Sequence, residues 1–290
     1  MIASVVLLIL VPLLFPGVVR KVRARAQRRQ GPPWLQPWRD FSRLIVKSPI
    51  DGPYSGFFAE VAPIASAFAG LALWSLVVWQ WAPLLVGLFF LILQMLAITG
   101  YGQETGTSFG GLGASREFVL AMLAKPTMVL FLAALGTQGY FEVHGLLGLG
   151  IVLAFLFSTF LAILAETARP PFDDPRTHLE LTMVHEAMLL EASGRSMALF
   201  SLGAVLKDCA LVTLVSRAFI GTIAHLFGWN LIVPMPILVA LTSLVMAVIL
   251  GYWESISVRR RWNSIPETLG LSFLLTLFFG ALLLGLGGEL

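Results

Sequence analysis

Acids and bases recur along this 290-residue chain inside, or at the edges of, long apolar runs: Glu60, Arg116, Glu117, Lys125, Glu166, Lys207, Asp208, Arg217 and Glu254. A charge near the centre of an isolated spanning helix costs at least about 2.5–3.5 kcal/mol. Groups of this kind can each hold a proton briefly, and an opposite charge nearby tunes the pKa toward neutrality. A line of them across a helical bundle therefore reads as proton transfer. Residues at span ends, such as Glu117 and Glu166, also fit the headgroup zone, whereas Lys125, Lys207 and Asp208 fall mid-span, where function is favoured. Lys207 and Asp208 are sequence neighbours and point about 100° apart on one helix. Each must reach a partner on a different element.

A second polar concentration runs from Glu166 through Ser193-Gly194. Pro170, Pro171 and Pro175 forbid a regular helix at its start. Thr177 with Glu180 then fits a capping box opening a helix, and Gly194 fits its C-terminal stop. On that helix His178, Thr182, His185 and Glu186 share one stripe, and Glu180 and Glu191 fall opposite. The spacing of His178, His185 and Glu186 is not the H-E-x-x-H of zinc hydrolases, so no metal site is assigned. No Walker loop, dinucleotide fingerprint or serine elbow occurs. The single cysteine, Cys209, excludes an intrachain disulfide or an iron–sulfur centre held by this chain alone.

The elements that must position these groups follow from composition. Hydrophobic residues make up 58% of the chain and charged residues 12%, against about 25% charged in soluble domains. Such a surplus must face lipid, which excludes a soluble enzyme and a disordered chain. Spanning helices need about 20 apolar residues, and eight segments qualify: Met1–Val19, Phe57–Trp79, Ala82–Tyr101, Glu117–Gly136, Gly145–Glu166, Met197–Thr222, Leu231–Trp253 and Thr268–Leu286. The runs are too long and continuous for barrel strands. The expected fold is all-α, one polytopic membrane domain over 1–290 with connections at about 20–56, 102–116, 167–196 and 254–267. With the N-terminus outside, these cytoplasmic connections hold 16 of the 19 Lys and Arg residues, which places both termini outside by the positive-inside rule. The first span lacks a basic n-region and an A-x-A site, so it reads as an uncleaved anchor. Trp34, Trp38, Phe41 and Ile45 recur at helical spacing opposite Arg39, Asp40, Arg43 and Lys47, which predicts an interfacial helix with Pro37 in its first turn. Topology and anionic lipid account for the basic block that precedes it, and nucleic acid is set aside. The polar 166–194 hairpin requires a cavity or a docked partner to cover it.

The stretch Gly31-Pro-Pro-Trp-Leu-Gln-Pro-Trp-Arg-Asp-Phe-Ser-Arg-Leu-Ile-Val-Lys47 resembles the first signature of the complex I family typified by its membrane subunit 1. Glu166-x-x-Arg169-x-Pro171-Phe172-Asp173 resembles its second. Continued through Asp174, Thr177, His178, Glu180, His185 and Glu186, that second stretch looks closest to the hydrogenase branch. This branch includes formate hydrogenlyase subunit 4, hydrogenase-4 component C and the related subunit of energy-converting membrane hydrogenases. The resemblance implies a membrane subunit joining a peripheral redox arm to ion-pumping, antiporter-like subunits. It implies a docking cavity lined by Gln36, Asp40, Arg116, Arg169, Asp173, Asp174, His178 and Glu180. It also implies a proton path, or supports of one, among Glu117, Lys125, Glu166, His185, Glu186, Lys207, Asp208 and Glu254. Two departures stand out. Many relatives carry Glu where this chain has Lys125, which leaves a basic relay or a static pair as readings of that residue. The hydrogenase-like second signature weighs against quinone and toward protons at a nickel–iron site on another subunit.

The expected function is therefore a membrane anchor and coupling subunit of a complex-I-related hydrogenase of the prokaryotic plasma (inner) membrane, of formate hydrogenlyase type, moving protons or sodium. Its partners would be hydrogenase-type large and small subunits, iron–sulfur subunits, antiporter-like subunits and membrane lipid. Iron–sulfur and nickel–iron centres would sit on those partners, with quinone binding left open. The rival readings are the quinone-binding membrane subunit of NADH:quinone oxidoreductase, a stand-alone secondary transporter, and a scaffold whose buried charges only pair with one another.

Overall fold

A computed structural model describes residues 2–50, 56–136, 140–143, 145–173, 183–228 and 235–286. Among them the chain forms α1 (Ile2–Ala26), α2 (Gln36–Val46), α3 (Phe57–Trp79), α4 (Gly87–Glu104), α5 (Ser108–Leu135), α6 (Gly145–Glu166), α7 (His185–Met188), α8 (Gly194–Leu226), α9 (Met235–Ile256) and α10 (Ile265–Leu286). The described residues contain no strand, as the unbroken apolar runs require. Seven helices, α3 to α6 and α8 to α10, are long and apolar enough to cross a membrane. The remaining expected span, α1, is a 25-residue helix but is not among the seven. Its last third carries Arg20, Lys21, Arg23 and Arg25, which cannot lie in hydrocarbon.

Polarity is distributed as lipid solvation demands. Phe68 and Met122 are 58% and 77% exposed on the outside of the bundle, while Glu117 and Glu166 are 6% and 5% exposed inside it. With seven such helices, this chain is an integral membrane protein.

The helices pair α1 on α9, α3 on α4 and α8, and α6 on α10, with α5 touching α4, α6, α7 and α10. Small residues set the closest approaches, as expected where lipid offers no hydrophobic drive to associate. A Cβ on Gly70 of α3 would stand 2.6 Å from the Gly203 carbonyl oxygen of α8. On the side of α4 and α5, Gly102 and Gly113 make room for the short α7. Cβ atoms there would come within 2.8 Å of Met188 and of the Val184 carbonyl oxygen, respectively.

Three sequence expectations need correction. The span expected to open at Glu117 is α5, which begins at Ser108, where the Thr107 hydroxyl accepts from the Gly110 N–H at 3.2 Å. Glu117 therefore sits more than two turns inside a helix rather than at its mouth. Gly194 does not end the hairpin helix; with φ +50 it opens α8, pressed against the Lys47 and Ser48 carbonyl oxygens. Of that expected helix, only His185–Met188 is helical among the described residues, and its Thr177/Glu180 start lies outside them. A helix is present where the Trp34–Lys47 pattern predicts one, as α2, with Pro37 in its first turn and no buried residue. The Trp38 indole N–H reaches the Pro12 and Leu13 carbonyls of α1 at 3.2 and 3.1 Å.

Candidate functional site

The site is built around the end of α6. Ala168 takes left-handed backbone (φ +52), the Ala168 N–H bonds the Ala165 carbonyl, and the Arg169 N–H bonds the Leu164 carbonyl at 2.9 Å. This is a Schellman cap with alanine in the place usually given to glycine, at a cost of roughly 1 kcal/mol. It reverses the chain just after Glu166, and Arg169, three residues on, is largely buried as Glu166 is. Beyond it, the Pro170 carbonyl accepts from the Trp253 indole at 3.0 Å and the Pro171 carbonyl from the Arg260 N–H at 3.0 Å. The proline-rich loop is thereby fastened to the end of α9 and the connection that follows.

Two linked charge clusters radiate from this turn. In the first, Arg169 donates to Asp208 of α8 at 2.6 Å and to Glu254 of α9, and Glu254 also accepts from Arg23 of α1 at 2.9 Å. Burial opposes the charge on Arg169, but Asp208 and Glu254 together hold its pKa above the ordinary arginine value. In the second, Lys125 of α5 grips both carboxylate oxygens of Glu166 at 2.7 Å. Lys207 of α8 donates to the Glu166 backbone carbonyl at 2.7 Å and lies 3.8 Å from its carboxylate. Neighbours in sequence, Lys207 and Asp208 thus serve different clusters, as their angular separation requires.

The second cluster continues to Glu117, whose Oε2 stands 3.2 Å from His185 Nδ1. The two atoms are buried and not aligned for a hydrogen bond. A lone pair facing a carboxylate oxygen at this distance is repulsive, so one proton must sit on one or the other. Asp173 fixes the histidine: its carboxylate accepts from the backbone N–H groups of Val184 and His185 at 3.2 and 3.0 Å, capping α7 from twelve residues upstream. Burial, reinforced by Lys207 and Lys125, pushes the His185 imidazole down to about 3.

That depression has a sign. An unfolded histidine titrates near 6.5, so the neutral buried form contributes its full stability above that pH and loses it as pH falls toward 3. At pH 5 the loss is about 2 kcal/mol. Thermal unfolding of the purified complex is expected to fall more steeply between pH 6.5 and 5 in the wild type than in His185→Gln; parallel curves would show that His185 is not held neutral.

A cavity of about 480 Å³ opens beside the first cluster, lined in part by Arg20, Arg23, Thr167, Arg169, Glu186 and Glu254. The residues expected to share one docking cavity divide. Arg169 lines this cavity. Gln36 bonds Asp40 at 2.7 Å on α2, and Asp40 lines a smaller space of about 160 Å³ with Arg20 and Trp38. Arg116 reaches the Met183 carbonyl at 3.5 Å and lies over the Trp262 ring, 5.9 Å from its centroid. Asp173 belongs with His185 rather than with the cavity, because its carboxylate is engaged in capping α7. Asp174, His178 and Glu180 lie outside the described residues. Of the residues expected on the proton path, Glu186 and Glu254 border the cavity, and Glu117, Lys125, Glu166, His185 and Lys207 form one cluster. Asp208 joins it through the Glu166–Arg169 turn. Arg23 is hidden in the basic block of the sequence, where nothing local separates it from its neighbours.

Residues 1–285 match the family described as NADH dehydrogenase. The chain belongs to that family. It is 31% identical over 235 residues to hydrogenase-4 component C of Escherichia coli (strain K12), covering 75% of this chain and 73% of the relative. To formate hydrogenlyase subunit 4 of the same organism it is 27% identical over 289 residues, covering 92% of each. To NADH-ubiquinone oxidoreductase chain 1 of Triticum aestivum it is 29% identical over 241 residues, covering 75% of this chain and 71% of that one. Among solved structures, a chain of the membrane-bound sulfane sulfur reductase, an archaeal respiratory membrane complex, shares its fold. The TM-score is 0.67 at 17% identity, covering 97% of this chain and 98% of that one.

Proposed function

We propose that this chain is the membrane anchor and coupling subunit of a complex-I-related hydrogenase in the prokaryotic inner membrane, both termini outside. One observation carries the reading: ionisable groups run from the 480 Å³ cavity through Glu254, Arg169 and Asp208, whose helix neighbour Lys207 bonds Glu166, and on through Lys125 to the Glu117–His185 pair inside the bundle. The cavity side receives a peripheral arm of hydrogenase-type large and small subunits and iron–sulfur subunits. The α5 side faces antiporter-like membrane subunits. Cys209, a single buried thiol in α8, is no donor set for an iron–sulfur or nickel–iron centre, so those centres belong to the partners. The hydrogenase-named relatives, component C and subunit 4, support this branch, with formate hydrogenlyase as its type.

In this reading Glu117 and His185 hold the mobile proton and the lysine-clamped Glu166 sets the field around it. Turnover in the arm shifts the charge that the partner presents at the cavity, that shift biases the Arg169 cluster, and the proton between Glu117 and His185 responds. Protons or sodium then move in the adjoining membrane subunits.

The test is Glu117→Gln in the purified complex reconstituted into vesicles. Hydrogen turnover is expected to stay within about twofold of wild type while ions moved per electron fall about tenfold or more, as removal of a proton-transfer group does. Unchanged pumping at unchanged turnover would remove the coupling role. The relative named NADH-ubiquinone oxidoreductase chain 1 supports a second reading, the quinone-binding membrane subunit of an NADH:quinone oxidoreductase. Assay with menaquinone against hydrogen separates the two.

A further inference from the structure

At the end of the bundle remote from the basic 20–47 segment, α3 stops at Trp79 and Gln80 takes left-handed backbone (φ 49). Beside it lies a cavity of about 220 Å³ whose polar lining is Ser4, Gln80, Thr213 and Arg217. The mid-span cations Lys125 and Lys207 each have a carboxylate within 4 Å, but among the described residues Arg217 has none. Its guanidinium donates to the Val77 carbonyl at 3.5 Å and to the Gln80 side-chain oxygen. Both partners are dipoles. The described residues thus leave the positive charge without a carboxylate within ion-pair distance, and Arg217 lines the cavity.

Depth decides what could supply the missing charge. Trp79 and Trp81 flank Gln80 and are 53% and 55% exposed, the placement of aromatic anchors at the membrane–water boundary. Arg217 is therefore held at the level of the lipid headgroups, reaching there from α8 as long cationic side chains do. A guanidinium presents a planar fork that matches the oxygens of a phosphate. We infer that Arg217, Gln80 and the cavity between α1, α3, α8 and α9 form a site for the phosphate of a phospholipid headgroup.

The test uses the complete complex, stripped of lipid in detergent and examined by native mass spectrometry with added dioleoyl-phosphatidylglycerol. Wild type is expected to retain one more such lipid than Arg217→Gln, with apparent affinity lower by about tenfold in the variant, and Arg217→Lys is expected to fall between them because it keeps the charge and loses the fork. Equal retention by wild type and Arg217→Gln overturns the proposal and leaves Arg217 as a staple between α8 and the end of α3. Displacement of the lipid by millimolar inorganic phosphate overturns the lipid assignment in favour of a soluble anion. Should Arg217→Gln fail to assemble, wild type is compared with uncharged dioleoylglycerol as probe. Retention of that lipid as firmly as phosphatidylglycerol overturns the proposal, and its loss supports it.

Discussion

Replacing Arg169 by glutamine is expected to destabilise the protein by about 3–5 kcal/mol, the cost of breaking a buried ion pair by removing one partner. Arg169 sits between Asp208 and Glu254, and Glu254 would keep its bond from Arg23. Asp208 would keep no ion pair within 4 Å among the described residues, only the more distant field of Lys207, whose ammonium bonds the Glu166 carbonyl. The expected result is a complex that accumulates poorly and unfolds at markedly lower temperature. The informative companion is Arg169→Gln with Asp208→Asn. Removing the stranded carboxylate should recover a large part of the loss, because a neutral pair leaves no uncompensated charge. Thermal unfolding of both variants, measured beside Asp208→Asn alone, checks it. A double variant no better than Arg169→Gln would show that the arginine matters for something other than balancing Asp208.

The elements of this fold are unevenly legible in the sequence. The helix at Phe57–Trp79 matches its predicted bounds because the apolar run is broken sharply, by Gly56 before it and Gln80 after it. The one at Gly145–Glu166 does so for the same reason. The start of α5 is obscured because Phe109-Gly-Gly-Leu-Gly113 looks like a connection. Those glycines are helical, and the small size of two of them serves packing: a Cβ on Gly110 would press on the Gly102 carbonyl and one on Gly113 on the Val184 carbonyl. The cost of charge in lipid marks the right side chains without saying which will meet. Glu254 finds Arg23 across 231 positions of chain, and only the packing of α1 on α9 brings them together. Gly194 shows the opposite case. Its freedom of φ stands out in the sequence and is used in the fold, but to start a helix under the Lys47 and Ser48 carbonyls rather than to stop one.

The role of Lys125 can be assigned by a double-mutant cycle. It holds Glu166 through two 2.7 Å contacts while Lys207 occupies the backbone carbonyl of the same residue. A relay group must let go of its partner; a clamp must not. The bidentate grip favours the clamp. Lys125→Met strands a carboxylate and Glu166→Met strands two lysines, so each alone is expected to lower stability and ion pumping strongly. Together they remove both members of the pair, and the double variant is expected to be more stable than the sum of the single losses by about 1–3 kcal/mol. If Lys125 is a clamp, the double variant also recovers part of the pumping, because Glu117 and His185 still hold a proton between them. If Lys125 carries the proton itself, stability returns and pumping stays at the level of the worse single variant. Lys207 keeps the result interpretable, since it remains bonded to the backbone carbonyl at position 166 whatever side chain stands there.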